Sequence, residues 1–293
     1  MAILIDKNTR VMVQGITGKS GQLQTKAMLD AGTNIVAGVT PGKGGQEVFG
    51  IPVYNEVAEA KKQHDFDTVI CFVPPFVAKD SCFEAIDAGV KTIVLTTEEM
   101  SLADQVETIA YAKAHGVTLV GPGCAGLIAP EVAKVGAHPV RFFKKGRVGV
   151  VSKSGALSYE IGKTLTDEGI GQSCICAIGG GPLWGFTQKD AVALYEKDPE
   201  TDIIVLLGEI GGSSEEEAAA YIREHVSKPV VTLIVGRNAP AGKSLGHAGA
   251  IISGNAGTAE TKIRALTEAG AYVVKSPREM VETIRRLQKG AKE

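Results

Sequence analysis

One histidine stands among very small side chains, in the run Gly246-His247-Ala248-Gly249-Ala250. A histidine with a packing role usually has bulky neighbours, whereas small neighbours leave room for a group bound to the imidazole. Glu209 lies in Gly208-Glu209-Ile210-Gly211-Gly212, directly after a predicted strand. A carboxylate that accepts one ring N–H fixes the tautomer and makes the other nitrogen a nucleophile. We therefore predict that His247 and Glu209 form a catalytic pair; a structural histidine and an exposed loop carboxylate are the alternatives.

A candidate phosphate site lies in Ser152-Lys153-Ser154-Gly155-Ala156-Leu157, where a predicted strand runs into a helix. Ser154 is the expected N-cap of that helix. Ser154, Gly155 and Ala156 are predicted to bind a phosphate, because the backbone N–H groups of a helix start point toward an anion. The helix dipole would contribute roughly 0.3–2 kcal/mol to this binding. An ordinary capped helix is the alternative.

Three carboxylates close to Glu209 have a plainer interpretation. Glu215, Glu216 and Glu217 follow Ser213 and Ser214 in the sequence. This pattern is typical of a capping box and of acidic residues in the first turn of a helix. We therefore assign them to the start of a helix.

A glycine-rich loop, Gly15-Ile16-Thr17-Gly18-Lys19-Ser20-Gly21, follows the first predicted strand. Its glycines allow a tight turn and a close approach of a phosphate to a helix N-terminus. The spacing is not the G-x-G-x-x-G of nicotinamide enzymes, and a glycine turn that serves packing alone is the alternative. Neither Gly18-Lys19-Ser20 nor Gly242-Lys243-Ser244 is a Walker A motif, because Val13 and Arg237 occupy the first glycine position.

The end of the second predicted strand favours coenzyme A over NAD. An NAD site expects an acidic residue there to accept the ribose hydroxyls. The chain instead has Thr40-Pro41-Gly42-Lys43-Gly44-Gly45, which places a cation where the extra phosphate of coenzyme A could bind. An NADP site, which also has a ribose phosphate, remains an alternative.

The elements that must position these residues form two series of alternating strands and helices. The predicted strands are 10–14, 34–39, 68–73, 91–95 and 117–120, then 147–151, 173–178, 202–207, 230–235 and 271–274. Such alternation predicts βαβ units in parallel sheets, with ligands beyond the carboxyl ends of the strands. We predict an α/β protein with a Rossmann-like domain over 1–125, a linker over 126–146 and a second doubly wound, flavodoxin-like domain over 147–293.

Composition excludes several classes of protein. The 293 residues are 44% hydrophobic and 22% charged, with a net charge of -2 and a pI near 6.3, so no basic surface for nucleic acid is expected. The start is too briefly apolar for a signal peptide and no membrane span is predicted, so a soluble, cytoplasmic protein is expected. Five cysteines without a C-x-x-C spacing predict buried thiols and no metal site.

The chain resembles the alpha subunits of succinyl-CoA synthetase over essentially its whole length. The shared stretches are Ile3 to Thr9, Gln14 to Gly18, Gly38 to Gly45, Glu84 to Gly89, Gly208 to Ser213 and Gly246 to Ile252. The resemblance implies that His247 is phosphorylated, that Glu209 orients it and that Tyr159 lies near the acid site. It implies that coenzyme A is held by Thr17, Gly18, Lys19, Ser20, Lys43, Thr96, Thr97 and Glu98.

The same resemblance implies a partner and a reaction. The partner is a beta subunit with an ATP-grasp site for ATP or GTP and Mg²⁺, in an αβ or α2β2 assembly. A nucleoside triphosphate phosphorylates the histidine, an organic acid takes the phosphoryl group, and coenzyme A displaces phosphate to give an acyl-CoA. A coenzyme A-binding protein without chemistry, an NADP-linked oxidoreductase and a regulatory nucleotide-binding protein are the alternatives.

Three departures from the family pattern cluster near the implied acid site. The chain has Gly121-Pro122-Gly123-Cys124-Ala125-Gly126 for Gly-Pro-Asn-Cys-Pro-Gly, and Ile178-Gly179-Gly180-Gly181-Pro182 for Ile-Gly-Gly-Asp-Pro. It has Ser154-Gly155-Ala156-Leu157-Ser158-Tyr159 for Ser-Gly-Thr-Leu-Thr-Tyr. Because polar contacts control selectivity strongly, we predict Gly123, Gly181 and Tyr159 at the substrate. The acid is succinate or a related short acid such as malate or sulfoacetate.

Overall fold

The computed structural model describes residues 3–237, 246–250 and 257–290. The chain divides into two compact units. The first holds residues 4–140 and 183–186, and the second holds Ile3, residues 141–182 and the described residues from 187 onward. Each unit contains a sheet of mostly parallel strands connected by helices, which confirms the predicted α/β class.

The sheet of the first unit has seven strands. They are β1 (Arg10–Gln14), β2 (Asn34–Val39), β3 (Glu47–Val48), β4 (Ile51–Tyr54), β5 (Thr68–Cys71), β6 (Thr92–Leu95) and β7 (Thr118–Val120). Their order is β3-β4-β2-β1-β5-β6-β7, and every neighbouring pair is parallel except β3 and β4. Every residue of β5 and β6 is buried, as expected for parallel strands covered on both faces.

Four helices pack in this unit. They are α1 (Lys19–Asp30), α2 (Val57–Gln63), α3 (Ala78–Asp87) and α4 (Leu102–Ala114). The core between helices and sheet includes Met12, Phe66, Ile93 and Leu119, each at most 1% exposed. Burying such a side chain contributes roughly 1.5–3 kcal/mol, so this core fixes the strand ends that carry the glycine-rich loop.

A hairpin follows this sheet in the sequence. It consists of β8 (Gly126–Ala129) and β9 (Ala133–Gly136), which pair antiparallel. Thr33 anchors it to the end of α1: its Oγ1 donates to the carbonyl of Lys134 at 2.8 Å and accepts from that residue's N–H at 3.0 Å. The segment 126–146, predicted as a linker, is therefore largely folded, and the first compact unit extends to residue 140. The domain boundaries at 125 and 147 stay predictions.

The second unit repeats the parallel arrangement. Its strands are β10 (Lys145–Ser152), β11 (Gln172–Ala177), β12 (Ile203–Glu209), β13 (Val230–Val235) and β14 (Tyr272–Val274). Its helices are α5 (Gly155–Asp167), α6 (Gln188–Lys197), α7 (Ser214–His225), α8 (Ala259–Glu268) and α9 (Pro277–Gly290). The parallel order is β14-β13-β12-β10-β11, so the loops after β10, β11 and β12 lie at one edge of the sheet.

Capping side chains set where three helices at this edge begin. Ser154 accepts the N–H of Leu157 at 3.3 Å and starts α5, as predicted. Thr187 and Asp190 form a capping box at α6, and Thr258 caps α8. Such caps stabilise a helix by about 0.5–2 kcal/mol each, and they leave the following backbone N–H groups directed beyond the strand ends.

The five cysteines are buried free thiols, as predicted. Within the residues that the structure describes, no helix has the length and apolar character needed to span a membrane. In the same residues no group of three or more histidine, cysteine or acidic side chains is arranged to hold a metal ion.

Candidate active site

Glu209 and His247 are in direct contact. Glu209 is the last residue of β12, and only 7% of it is exposed. Its Oε2 lies 2.6 Å from Nδ1 of His247, whose side chain is 32% exposed. A buried carboxylate at this distance favours the tautomer that carries the proton on Nδ1, and in that tautomer the lone pair of the ring is on Nε2. The structure thus brings together the two side chains that the sequence predicted as a pair.

Glycine at position 180 permits this placement of the imidazole. A Cβ atom built on Gly180 would lie 2.6 Å from both Nδ1 and Cδ2 of His247, far inside contact distance. The backbone also closes on the histidine loop, since the N–H of Gly249 donates to the Gly180 carbonyl at 3.2 Å. Gly180 was not predicted as a site residue, although the three consecutive glycines at 179–181 are a signal of close backbone approach.

The main chain of Glu209 is held on two sides. β12 pairs with β13, with Glu209 opposite Val235. The N–H of Glu209 donates to Oε1 of Glu215 at 3.1 Å. Gly211, with φ of 90°, turns the chain away from the strand, and its N–H donates to the Gly257 carbonyl at 2.8 Å.

The three acidic residues after this turn lie in the first turn of α7, as predicted, but not in a capping box. Ser213 occupies the N-cap position, and its side chain makes no capping hydrogen bond. Its hydroxyl donates to Glu217 instead, at 2.7 Å. Glu215 is wholly buried, and its charge is balanced there by two lysine side chains that are distant in the sequence. The interpretation as a capping box is therefore wrong.

The predicted phosphate loop joins β10 to α5 at the same edge of the sheet. Ser152 Oγ bridges the turn, accepting the N–H of Ser154 at 3.0 Å and donating to its carbonyl at 2.7 Å. Ser154 and Gly155 are half-buried and Ala156 is exposed, so the start of α5 can be reached by an anion. Binding of phosphate there stays a prediction.

The glycine-rich loop of the first unit is a compact turn. A Cβ atom on Gly15, whose φ is 75°, would lie 3.0 Å from the carbonyl carbon of Phe72, and one on Gly21 would lie 2.9 Å from that of Gly15. The α1 helix starts at Lys19 with Gly18 as its N-cap, so no capping side chain stands before its first N–H groups. This geometry suits the close approach of a phosphate.

Two cavities adjoin this loop. One has a volume of about 300 Å³ and is lined by Gln14, Gly15, Thr17, Gly18, Val39, Thr40, Pro41, Phe72, Val73, Pro74, Val77, Ser81 and Glu84. The other has a volume of about 420 Å³ and is lined by Thr17, Gln22, Lys43, Gln46, Glu47, Val48 and Phe49. Of the residues predicted for coenzyme A, Thr17 lines both cavities, Gly18 the first and Lys43 the second.

The remaining residues predicted for coenzyme A do not line these cavities. Lys19 and Ser20 are exposed at the start of α1, and Glu98 is exposed after β6. The hydroxyls of Thr96 and Thr97 donate to the carbonyls of Cys71 and Val73, at 2.6 and 2.8 Å. These two threonines, which follow β6, therefore hydrogen-bond to the main chain at the end of β5.

The cavity wall formed after β5 was not predicted. Residues 72–77 follow β5, the neighbour of β1 in the sheet, so strand adjacency was the signal that could have identified them. Glu84 on α3 also lines this cavity, and it accepts the N–H of Val57 at 2.6 Å. Burial raises the pKa of the Glu84 carboxyl above its usual value.

The residues predicted for the acid belong to different units. Gly123 lies in the first unit, with φ of 65°, and its N–H donates to the Thr97 carbonyl at 3.0 Å. A Cβ atom on Gly123 would lie 3.5 Å from Cγ of Glu98. In the second unit, Tyr159 is half-buried on α5, and a Cβ atom on Gly249 would lie 2.6 Å from the Gly181 carbonyl oxygen.

Comparisons with known proteins match two separate parts of the chain. A family model described as a CoA binding domain matches residues 6–99, and one described as CoA-ligase matches residues 151–272. The chain is 52% identical over 289 residues to succinate–CoA ligase [ADP-forming] subunit alpha 1 of Archaeoglobus fulgidus, covering 98% of each chain. It is 49% identical over 291 residues to the corresponding alpha subunit of Aquifex aeolicus, covering 99% of this chain and 95% of that one.

A solved structure shares the fold over almost the entire chain. It is a variant of Methanosaeta concilii ATP citrate lyase in complex with (3S)-citryl-CoA, with a TM-score of 0.90 and 25% sequence identity. The alignment covers 99% of this chain and 52% of the lyase, so the chain spans about half the length of that protein.

Proposed function

The chain belongs to the family of succinate–CoA ligase alpha subunits, and we propose that it binds coenzyme A and carries a phosphoryl group on His247 within an acid–CoA ligase. The observation that carries this proposal is the 2.6 Å contact between Glu209 Oε2 and His247 Nδ1. The family assignment argues against the NADP-linked oxidoreductase that the glycine-rich loop alone left open. Coenzyme A binding in the first unit is supported by the match to a CoA binding domain over residues 6–99.

The first step is phosphorylation of the histidine. Nε2 of His247 attacks the terminal phosphorus of a nucleoside triphosphate, the P–N bond forms, and the bond to the leaving nucleoside diphosphate breaks. Glu209 stabilises the positive charge that develops on the ring, since its carboxylate accepts a hydrogen bond from Nδ1–H, and the proton stays on the ring. The start of α5, at Ser154, Gly155 and Ala156, is proposed to bind the phosphoryl oxygens through backbone N–H groups.

The next two steps transfer the group and form the thioester. A carboxylate oxygen of the acid attacks phosphorus, the P–N bond breaks, and an acyl phosphate forms while His247 is regenerated. The thiolate of coenzyme A then attacks the acyl carbon, the thioester bond forms, and inorganic phosphate leaves. For coenzyme A we propose Thr17, Gly18 and Lys43, which line the cavities beside the glycine-rich loop, with Lys19, Ser20, Thr96, Thr97 and Glu98 as further candidates.

The nucleotide is proposed to bind to a partner, a beta subunit of the ATP-grasp type that also holds Mg²⁺. Two observations support a partner. The sequence has no Walker A motif, and the curated relatives are named as alpha subunits. Those relatives are also named ADP-forming, which favours ATP over GTP as the phosphoryl donor.

The acid is proposed to be succinate or a related short acid such as malate or sulfoacetate. The names of the relatives favour succinate. Glycine at 123 and 181 favours a different acid, because the family pattern has an amide and a carboxylate at these positions. Turnover of the co-purified subunits with each acid in competition decides between them, and a strong preference for succinate removes malate and sulfoacetate.

The test of the phosphohistidine uses the chain co-purified with its beta subunit and γ-labelled ATP. We expect label that is lost in acid, retained in base and located on His247. His247→Asn is expected to carry no label, and Glu209→Gln is expected to acquire it much more slowly. Absence of label from a folded wild-type complex that binds ATP would refute the proposal and favour a coenzyme A-binding protein without chemistry.

A further inference from the structure

A cluster of buried ions is bonded to the loop that carries Glu209. It consists of Lys153, Glu215 and Lys262, whose side chains are 2%, 0% and 0% exposed. Oε1 of Glu215 lies 2.9 Å from Nζ of Lys153, and its Oε2 pairs with Nζ of Lys262. One buried carboxylate is therefore shared by two ammonium groups.

Stability alone does not account for this cluster. The desolvation of buried ions often outweighs their mutual attraction, and well-packed apolar side chains in their place are often equally or more stable. Lys262 adds two further contacts, to Oε2 of Glu216 at 3.1 Å and to the Gly212 carbonyl at 2.9 Å. The ammonium group of Lys262 therefore makes directed hydrogen bonds to three oxygen atoms, beyond the simple balance of charge.

The cluster connects three helix starts. Lys153 directly precedes the N-cap of α5, in the proposed phosphate loop. Glu215 lies in the first turn of α7, after β12. Lys262 lies in the first turn of α8 and holds the carbonyl of Gly212, in the turn between Glu209 and α7.

The bond between Glu215 and the main chain of Glu209 carries the inference. Oε1 of Glu215 accepts the N–H of Glu209 at 3.1 Å and pairs with Lys153 at the same oxygen. Gly208 makes room for this approach, because a Cβ atom there would lie 2.7 Å from Cγ of Glu215. The main chain from which the Glu209 side chain extends to His247 is therefore hydrogen-bonded to a buried ion.

We propose that Glu215 is a positioning residue, held by Lys153 and Lys262, that fixes Glu209 against Nδ1 of His247 and ties this pair to the phosphate loop. The inference rests on the proposed phosphohistidine function for its catalytic meaning. Its structural content, the control of the histidine tautomer by Glu215, is measurable without any phosphorylation.

The test compares Glu215→Gln with a matched control, Glu196→Gln. Glu196 also accepts backbone N–H groups, from Ser227 and Lys228, but these residues precede β13, at the opposite edge of the sheet from Glu209. The full chain is labelled with ¹⁵N-histidine, and the Nδ1 and Nε2 chemical shifts of His247 are assigned with His247→Asn. We expect proton on Nδ1 in the wild type and in Glu196→Gln, and a mixture of tautomers in Glu215→Gln.

Phosphorylation is the second measurement, made on the complex with the beta subunit. We expect Glu215→Gln to lower the phosphorylation rate on the order of 100-fold with little change in the KM for ATP, and Glu196→Gln to leave both close to wild type. If Glu215→Gln does not fold, the double variant Glu215→Gln, Lys153→Met removes one unopposed buried cation and is measured in the same way.

The outcomes separate the two proposals. An unchanged Nδ1-protonated fraction in a folded variant, or an equal change in Glu196→Gln, overturns the positioning role. A wild-type complex that never becomes phosphorylated overturns the proposed function, whereas the tautomer comparison still decides the role of Glu215.

Discussion

Gly180→Ala adds one methyl group against the imidazole of His247. The new Cβ atom would lie 2.6 Å from Nδ1 and from Cδ2, whereas ordinary van der Waals contact begins at 3.4 Å. The backbone at Gly180 does not adopt a left-handed conformation, so its dihedral angles permit alanine, and the three atoms nearest to the new Cβ all belong to the imidazole ring. The half-exposed imidazole, rather than the backbone beside buried β11, is expected to move.

The displacement removes the hydrogen bond that orients the nucleophile. A shift of roughly 1 Å at a reacting group can lower a rate on the order of 100-fold, which corresponds to about 2.7 kcal/mol of activation free energy. We expect the rate of His247 phosphorylation to fall by this factor, while the affinity of the first unit for coenzyme A stays at its wild-type value.

The assay is a rapid-quench time course of label transfer from γ-labelled ATP in the complex with the beta subunit. Gly290→Ala is the matched control, because nothing lies within 4 Å of a Cβ atom at Gly290. A phosphorylation rate for Gly180→Ala within twofold of wild type would refute the argument that close packing on Gly180 fixes the reactive ring.

Three further changes test other parts of the molecule. Gly21→Ala places a Cβ atom 2.9 Å from the Gly15 carbonyl carbon and is expected to open the turn and weaken coenzyme A binding in calorimetry. An unchanged affinity would contradict the argument that this close turn shapes the binding site. Ser154→Ala removes the α5 cap and is expected to lower the free energy of unfolding by about 1 kcal/mol in a urea titration. It is also expected to slow the phosphorylation of His247. An unchanged midpoint of urea unfolding would count against the cap. Burial lowers the pKa of Lys134 to about 8. Above that pH, Lys134 binds fewer protons in the folded state than in the unfolded state. Its contribution to the free energy of unfolding therefore rises as the pH increases from about 8 toward the usual lysine pKa. Lys134→Met is expected to remove this contribution in thermal unfolding scans, and a Tm difference, wild type minus variant, that falls over the same interval would show that the sign is wrong.

Much of the fold was predictable because parallel strands leave a strong local signal. The predicted bounds of β1, β2 and β13 coincide with the observed ones, since each strand is mostly apolar and lies between segments that contain turn residues. The hairpin of β8 and β9 was missed because its strands are short, rich in glycine and alanine, and contain a lysine. Lys134 is buried there with Nζ 3.2 Å from Gln24, a contact that the local sequence does not reveal.

The candidate site divides in the same way. Glu209 and His247 could be paired from the sequence, because Glu209 ends one strand of a parallel sheet, His247 comes after the next strand, and parallel strands end at one edge. The role of Glu215 could not be found locally, because its position in an acidic first turn resembles an exposed helix start. Only the tertiary structure brings Lys153 and Lys262, on other helix starts, into contact with it.

The burial of all five cysteine side chains has a consequence for a chain proposed to handle coenzyme A. Exchange between a thiol and a disulfide requires an accessible thiolate. Burial raises the pKa of Cys124 and of Cys174 to about 12, so these sulfurs stay protonated as well as shielded. Oxidised coenzyme A therefore finds no exposed protein sulfur with which to form a mixed disulfide, and the chain can work beside a high concentration of its own thiol substrate without being trapped by it.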